Sequence, residues 1–133
     1  MWKAFLVLFG LLMLTACQNA SSRSQDPLSA GSLAEEYERS NVSVRRKYNG
    51  KEIIVRGYAL LAAATTIQLG DGQGSVFLGE KGREPVRQIT CWFSRDQAAE
   101  FSKIKSGQNV TVKGVFNGEG GAELKFCKLV RIE

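Results

Sequence analysis

The 133-residue chain has no histidine. That excludes Ser-His-Asp and Cys-His catalysis, His-ligated zinc and imidazole pH switching. It also has no apolar run of spanning length. The segment from Ala4 to Leu14 is apolar throughout, but as a helix its 11 residues cover only about 16 Å, against a hydrocarbon core of roughly 30 Å. Signatures of catalysis are missing too. Gly70-Asp71-Gly72-Gln73-Gly74 completes no phosphate-binding loop, and no Gly-Lys-Ser/Thr comes after it. Ser102-Lys103-Ile104-Lys105 fits the S-x-x-K pattern without its companion motifs. The carboxylates Asp71, Glu80, Glu84, Asp96, Glu119 and Glu123 are scattered over turns and helix starts, and no two are spaced for acid–base work. The expectation is a protein that is not an enzyme, with no cofactor and no metal site.

What is present begins with a mild basic excess. The formal charge is +5, which suits anionic partners such as nucleic acid or phospholipid head groups, and equally a soluble domain that binds neither. The N-terminus is more informative. Met1-Trp2-Lys3 carries one positive side chain, the apolar run comes next as a secretory core, and Leu14-Thr15-Ala16-Cys17 closes it. This order of Leu, two small residues and Cys resembles the lipobox of bacterial lipoproteins. The resemblance implies that the Cys17 thiol takes a diacylglycerol, that residues 1–16 are removed, and that the new amine is acylated. Each buried acyl CH₂ contributes about 0.8 kcal/mol, so several chains hold the protein at the membrane without a polypeptide span. The alternative is an ordinary cleaved signal with an incidental cysteine. Gln18 replaces the Asp that in such proteins favours inner-membrane retention, so the outer membrane facing the periplasm is expected where the organism has two membranes.

Residues 17–32 then form the lipidated cysteine and a flexible tether rich in Ser, Gln and small residues. Three N-x-S/T triplets, at Asn19, Asn41 and Asn109, are chance matches behind a bacterial lipobox. Cys91 and Cys127 are left as an even pair outside the reducing cytosol, and a disulfide is the default expectation. It would close a loop of about 36 residues, a constraint of roughly 3–4 kcal/mol. Two free buried thiols are the alternative.

The domain itself, over 33–133, reads as one helix and then strands. Leu33, Tyr37, Val44 and Tyr48 share one side of an amphipathic helix over about 33–47, behind a capping box at Ser32. From Lys51 the period changes to two, with Ile53, Val55, Gly57 and Ala59 on one face and Ile54, Arg56, Tyr58 and Leu60 on the other. A second strand is expected over 65–69, continuing beyond the glycine cluster through 75–78, and a third over 86–94. A short helix carries Ala98, Phe101 and Ile104. A fourth strand over 108–117, the Gly118-Glu119-Gly120-Gly121 turn and a fifth strand over 122–132 complete the chain.

Three strands, a helix and two strands is the order of the OB-fold, a five-stranded Greek-key barrel. The run Tyr48-Asn49-Gly50-Lys51-Glu52-Ile53-Ile54-Val55-Arg56-Gly57 resembles the opening of the bacterial tRNA_anti-like family. So do Thr90-Cys91-Trp92-Phe93, Lys105 to Gly114 and the closing Leu124-Lys125-Phe126-Cys127-Lys128-Leu129. The fold class expected is therefore all-β: a five-stranded OB-fold barrel with an N-terminal amphipathic helix and a short helix between strands three and four. In that barrel the third and fifth strands meet in parallel, which brings Cys91 towards Cys127. Alternation opposes the bridge, because it puts Leu124, Phe126, Val130 and Ile132 on one face and Cys127 on the other. Either a bulge shifts a strand, or both cysteines point outward.

OB domains bind through strands two and three and the loops beside them. The candidate ligand-binding residues there are Arg87 and Trp92, along with Gln88, and Arg56 and Tyr58 on the first strand. The competing reading makes Trp92 core and the arginines solvated surface. The function expected is a lipid-anchored cell-envelope module for binding or assembly, with a protein or an envelope polymer as partner. The alternatives are a single-stranded nucleic-acid binder in DNA uptake or conjugation, and an oligosaccharide or cell-wall binder.

Overall fold

The computed structural model describes residues 26–63, 74–82 and 87–133. The lipobox and the 65–69 strand expectation lie outside them. The elements run in the order β1 (Leu28–Ser29), α1 (Ala30–Arg39), α2 (Asn41–Tyr48), β2 (Glu52–Ala63), β3 (Gly74–Gly79), β4 (Gln88–Phe93), α3 (Ala98–Phe101, behind a 3₁₀ turn at Arg95–Gln97), β5 (Asn109–Asn117) and β6 (Glu123–Ile132).

β2 to β6 form a closed barrel. β2 pairs antiparallel with both β3 and β5, β3 with β4, and β5 with β6. The cylinder closes where β4 meets β6 in parallel, through Thr90↔Glu123 and Cys91↔Leu124. This is the OB-fold expected from strand order. β2 obeys its period of two: Ile53, Val55 and Ala59 are buried, and Arg56 is exposed. Val76, Leu78, Ile89, Cys91, Phe93, Val110, Val112, Phe116, Leu124 and Cys127 complete the barrel interior.

The N-terminal part departs from expectation in two ways. Regular structure reaches into the stretch read as tether, because β1 adds a short parallel strand beside Val55 and Arg56, and Ser29 rather than Ser32 caps α1. The single helix over 33–47 is two helices, broken at Ser40, whose φ of −156° and ψ of 83° are not helical. The apolar stripe survives the break. Leu33 and Val44 are buried, while Tyr37 and Tyr48 set their ring edges against Phe116. Tyr37 donates its hydroxyl hydrogen to the Gly118 carbonyl at 2.7 Å. Ala30 docks against Gly57, where a Cβ would come within 2.7 Å of it. The pair α1–α2 thus lies over the Gly57 and Phe116 regions, and α3 seals the Phe93 region through Phe101, at 5.5 Å between ring centroids.

β6 breaks regular strand geometry at Phe126. Its φ is 55°, which makes it the only non-glycine with positive φ among the described residues. The β5–β6 register slips there: Lys113 pairs with Lys128, but Val115 pairs with Lys125. Leu124 and Cys127, three positions apart in β6, both point inward as a result. This bulge resolves the parity conflict in the sequence. Phe126 and Val130, which simple alternation groups with Leu124, are instead 71% and 53% exposed. Gly114, opposite on β5, leaves room for the sulfur: a Cβ would sit 2.8 Å from Cys127 Sγ.

Candidate ligand-binding cleft

The bulge turns Phe126 outward beside Lys125, and strand parity turns Trp92 outward because Cys91 faces the core. Trp92, Phe93, Ser94, Glu123, Lys125 and Phe126 line a cleft of about 380 Å³ on the barrel wall. A second hollow of about 320 Å³ lies on the far side of Phe126, between Lys125 and the Asn49-Gly50 end of α2. Phe126 is thus a ridge between two hollows, its ring open to both. The β5–β6 turn that borders them is held to α2: Gly118 donates its N–H to Asn49 Oδ1 at 2.9 Å, and Gly50 donates to the Phe116 carbonyl at 2.9 Å. The stem of Arg45 packs at Gly118. A backbone with so many tertiary ties resists rearrangement, so the cleft is largely preformed.

The charge around it is mixed. Lys125 supplies an ammonium and Glu123 a carboxylate inside the cleft. Arg45, Arg46 and Lys47 occupy the last turn of α2, where cations complement the helix C-terminus. On the other flank Ser94 donates its hydroxyl hydrogen to the Asp96 carboxylate, and this bond, with help from Lys128, holds the Asp96 carboxyl below its ordinary range. Among the described residues no group of three His, Cys, Asp or Glu side chains could hold a metal ion.

The residues expected to bind together do not all meet. Trp92 lies in the cleft. Arg56 and Tyr58 are on a different wall, in a shallow hollow with Lys81, whose ammonium lies 5.7 Å from the Tyr58 ring centre. Arg56 is ion-paired to Glu133. Arg87 straps α1 to the barrel: its Nε donates to Glu38 at 2.7 Å, and a terminal nitrogen approaches Glu35 at 3.6 Å. A guanidinium committed to two carboxylates has a structural task. Strict alternation puts Phe126 inside, so sequence reasoning misses both it and Lys125. The detectable signal is the clash of parity between Leu124 and Cys127.

The tRNA_anti-like family model matches residues 12–125, most of the chain. The chain belongs to the tRNA_anti-like family. Its resemblance to that family, read from the motifs around Tyr48, Thr90 and Lys105, is borne out. Among solved structures, this tRNA_anti-like domain is similar to a protein of Klebsiella pneumoniae subsp. pneumoniae MGH 78578, provisionally described as a nucleic acid-binding lipoprotein. The two share 15% identity at a TM-score of 0.65, over 79% of this chain and 92% of that one. The OBody AM1L10 bound to hen egg-white lysozyme matches at 14% identity and a TM-score of 0.48, over 64% of this chain and 84% of its own. No curated protein matches. The first likeness shows a shared fold.

Proposed function

We propose that this chain is a non-enzymatic binding module of the bacterial envelope, anchored by lipid on Cys17 and receiving an extended partner across the Phe126 ridge. The anchor is supported by the Leu14-Thr15-Ala16-Cys17 order and by the Klebsiella likeness, a protein described as a lipoprotein. Gln18 at the next position favours the periplasmic face of the outer membrane where the organism has two membranes. The observation that carries the binding reading is Phe126 itself. A phenylalanine held at φ of 55° costs about 1–2 kcal/mol of backbone strain, and at 71% exposure its ring gains little burial in return. The bulge lets Leu124 and Cys127 face the core, but that packing does not call for an exposed aromatic ring at the strained position, so phenylalanine there points to a role for the presented ring. A protein segment or an envelope polymer, lying with one unit in each hollow, would cover both faces of it.

Photo-crosslinking in cells tests this. A benzoylphenylalanine replacing Phe126 is expected to give discrete adducts, and one replacing Val42, also apolar and 55% exposed on α2, is not. Indistinguishable labelling from the two positions would remove the cleft as the binding surface.

A second reading, single-stranded nucleic acid, is favoured by one feature: two outward aromatic rings, Trp92 and Phe126, line the same cleft as the Lys125 ammonium. Bases stack on such rings for about 1–3 kcal/mol each, and the lysine neutralises a phosphate. The Klebsiella protein is provisionally described as nucleic acid-binding. Fluorescence anisotropy with labelled oligonucleotides at two salt concentrations separates the readings, since affinity that vanishes by physiological salt dismisses this one.

A further inference from the structure

Cys91 and Cys127 are free thiols in this structure, wholly buried and side by side. Cys91 pairs with Leu124 across the seam, and Cys127 Sγ faces the Leu124 carbonyl at 3.5 Å, which sets the two thiols beside one another. They sit at the barrel's weakest joint. Each antiparallel strand pair around the cylinder is registered over five or more residue pairs, but β4 and β6 share only two before β6 bulges away. Gly114 leaves open the space that the Cys127 sulfur occupies. Trp92 directly follows Cys91, and Phe126 directly precedes Cys127, so the two aromatic walls of the cleft are attached to the two sulfurs.

We propose that in the mature protein Cys91 and Cys127 form a disulfide that closes the β4–β6 seam and pins the bulge presenting Phe126 opposite Trp92. The placement of this chemistry outside the cytosol rests on the proposed envelope function. The oxidant is a disulfide, carried by a protein or a small thiol of that compartment. One cysteine, as thiolate, attacks it, forms a mixed disulfide and releases one reduced thiol. The second cysteine then attacks the mixed disulfide. The Sγ–Sγ bond forms, the oxidant leaves as its second thiol, and its two new S–H groups take the two protons the cysteines gave up. Burial pushes the Cys91 thiol well above its ordinary pKa, with the neighbouring Cys127 adding to the shift. Thiolate is therefore scarce once the barrel has closed, so oxidation belongs to folding, before the seam shuts. Afterwards the same burial shields the bond from reductants.

The test uses the full chain purified from membranes, with free thiols blocked by N-ethylmaleimide in denaturant before digestion. The expected result is a cross-linked pair of peptides containing Cys91 and Cys127, lighter by two hydrogens than the sum of the separate peptides. Both cysteines should take the label only after reduction. Full labelling of both without reduction overturns the proposal. The N-terminal peptide of the same digest reports separately on the anchor. A lipidated Cys17 with labelled Cys91 and Cys127 defeats the disulfide and leaves the envelope reading standing, and an unmodified chain starting at Met1 defeats that reading. Trp92, the one tryptophan left once residues 1–16 are removed, reports on the cleft. Its emission should differ between the oxidised protein and the same chain reduced in denaturant and refolded with both thiols free, and identical spectra would sever the bond from the cleft.

Discussion

Replacing Gly114 by alanine tests the bulge most directly. The new Cβ would lie 2.8 Å from Cys127 Sγ, 3.1 Å from the Lys125 carbonyl oxygen and 3.2 Å from Leu124 Cβ. None of these is the loose end of a flexible side chain. One is a buried sulfur, one a backbone atom at the bulge and one the stem of a core leucine. Overpacking of this kind costs about 1–3 kcal/mol. Losing a glycine returns about 0.4–1 kcal/mol through the unfolded chain. The net expectation for Gly114→Ala is a loss of about 1–2 kcal/mol, read as a lower urea midpoint with unchanged slope, or a Tm lower by about 5–10 °C. Gly120→Ala is the control, because no atom lies within 4 Å of its Cβ position, and it should lose no stability and gain up to about 1 kcal/mol. The mechanism is separable from a general intolerance of β5. In reducing buffer, Cys127→Ala removes the sulfur that the new methyl strikes, so Gly114→Ala combined with Cys127→Ala should cost less than the two apart, with a coupling of about 0.5 kcal/mol or more. Strict additivity, or a Gly114→Ala variant as stable as the parent, would refute the account of why Cys127 points inward.

Three further outcomes are expected. Phe126→Gly should alter stability by less than about 1 kcal/mol, since relieved strain offsets lost entropy and a little lost burial, whereas Phe116→Ala at a fully buried site should cost about 3–5 kcal/mol; equal losses in denaturant titrations would contradict the assignment of Phe126 to binding. Alkali should destabilise the reduced protein selectively. The folded Cys91 pKa lies above its unfolded value of 9.0, so the unfolded chain releases this proton first and stability falls as pH rises beyond about 9, by up to about 1.4 kcal/mol per unit. The oxidised protein lacks that proton, and parallel pH profiles for the two forms would count against a buried thiol pair. Arg87→Ala should cost no more than about 1 kcal/mol, with the loss shrinking in high salt, because its partners are partly exposed. A loss of several kcal/mol would mean that Arg87 does more than strap α1.

Much of this protein is legible residue by residue. The alternation of Ile53, Val55, Gly57 and Ala59 is set by the pleat alone, and the burial of β2 obeys it. The spacing of Leu33, Tyr37, Val44 and Tyr48 is set by the helical turn, and these residues meet the barrel even across a break at Ser40 that the spacing does not reveal. The order of strands and helices already restricts the chain to one barrel topology, and the short motifs around Tyr48 and Thr90 already mark the family. These features are local, or count only sequence order, so a one-dimensional string contains them. The cleft is different. Which way Trp92 faces depends on Cys91 filling the core. Whether Phe126 is inside or outside depends on a slip against β5 that Gly114, on the neighbouring strand, permits. Arg87 is spent on Glu35 and Glu38 of a helix far earlier in the chain. Such outcomes are decided by which distant atoms compete for one volume or one charge, and that competition exists only once the barrel has closed.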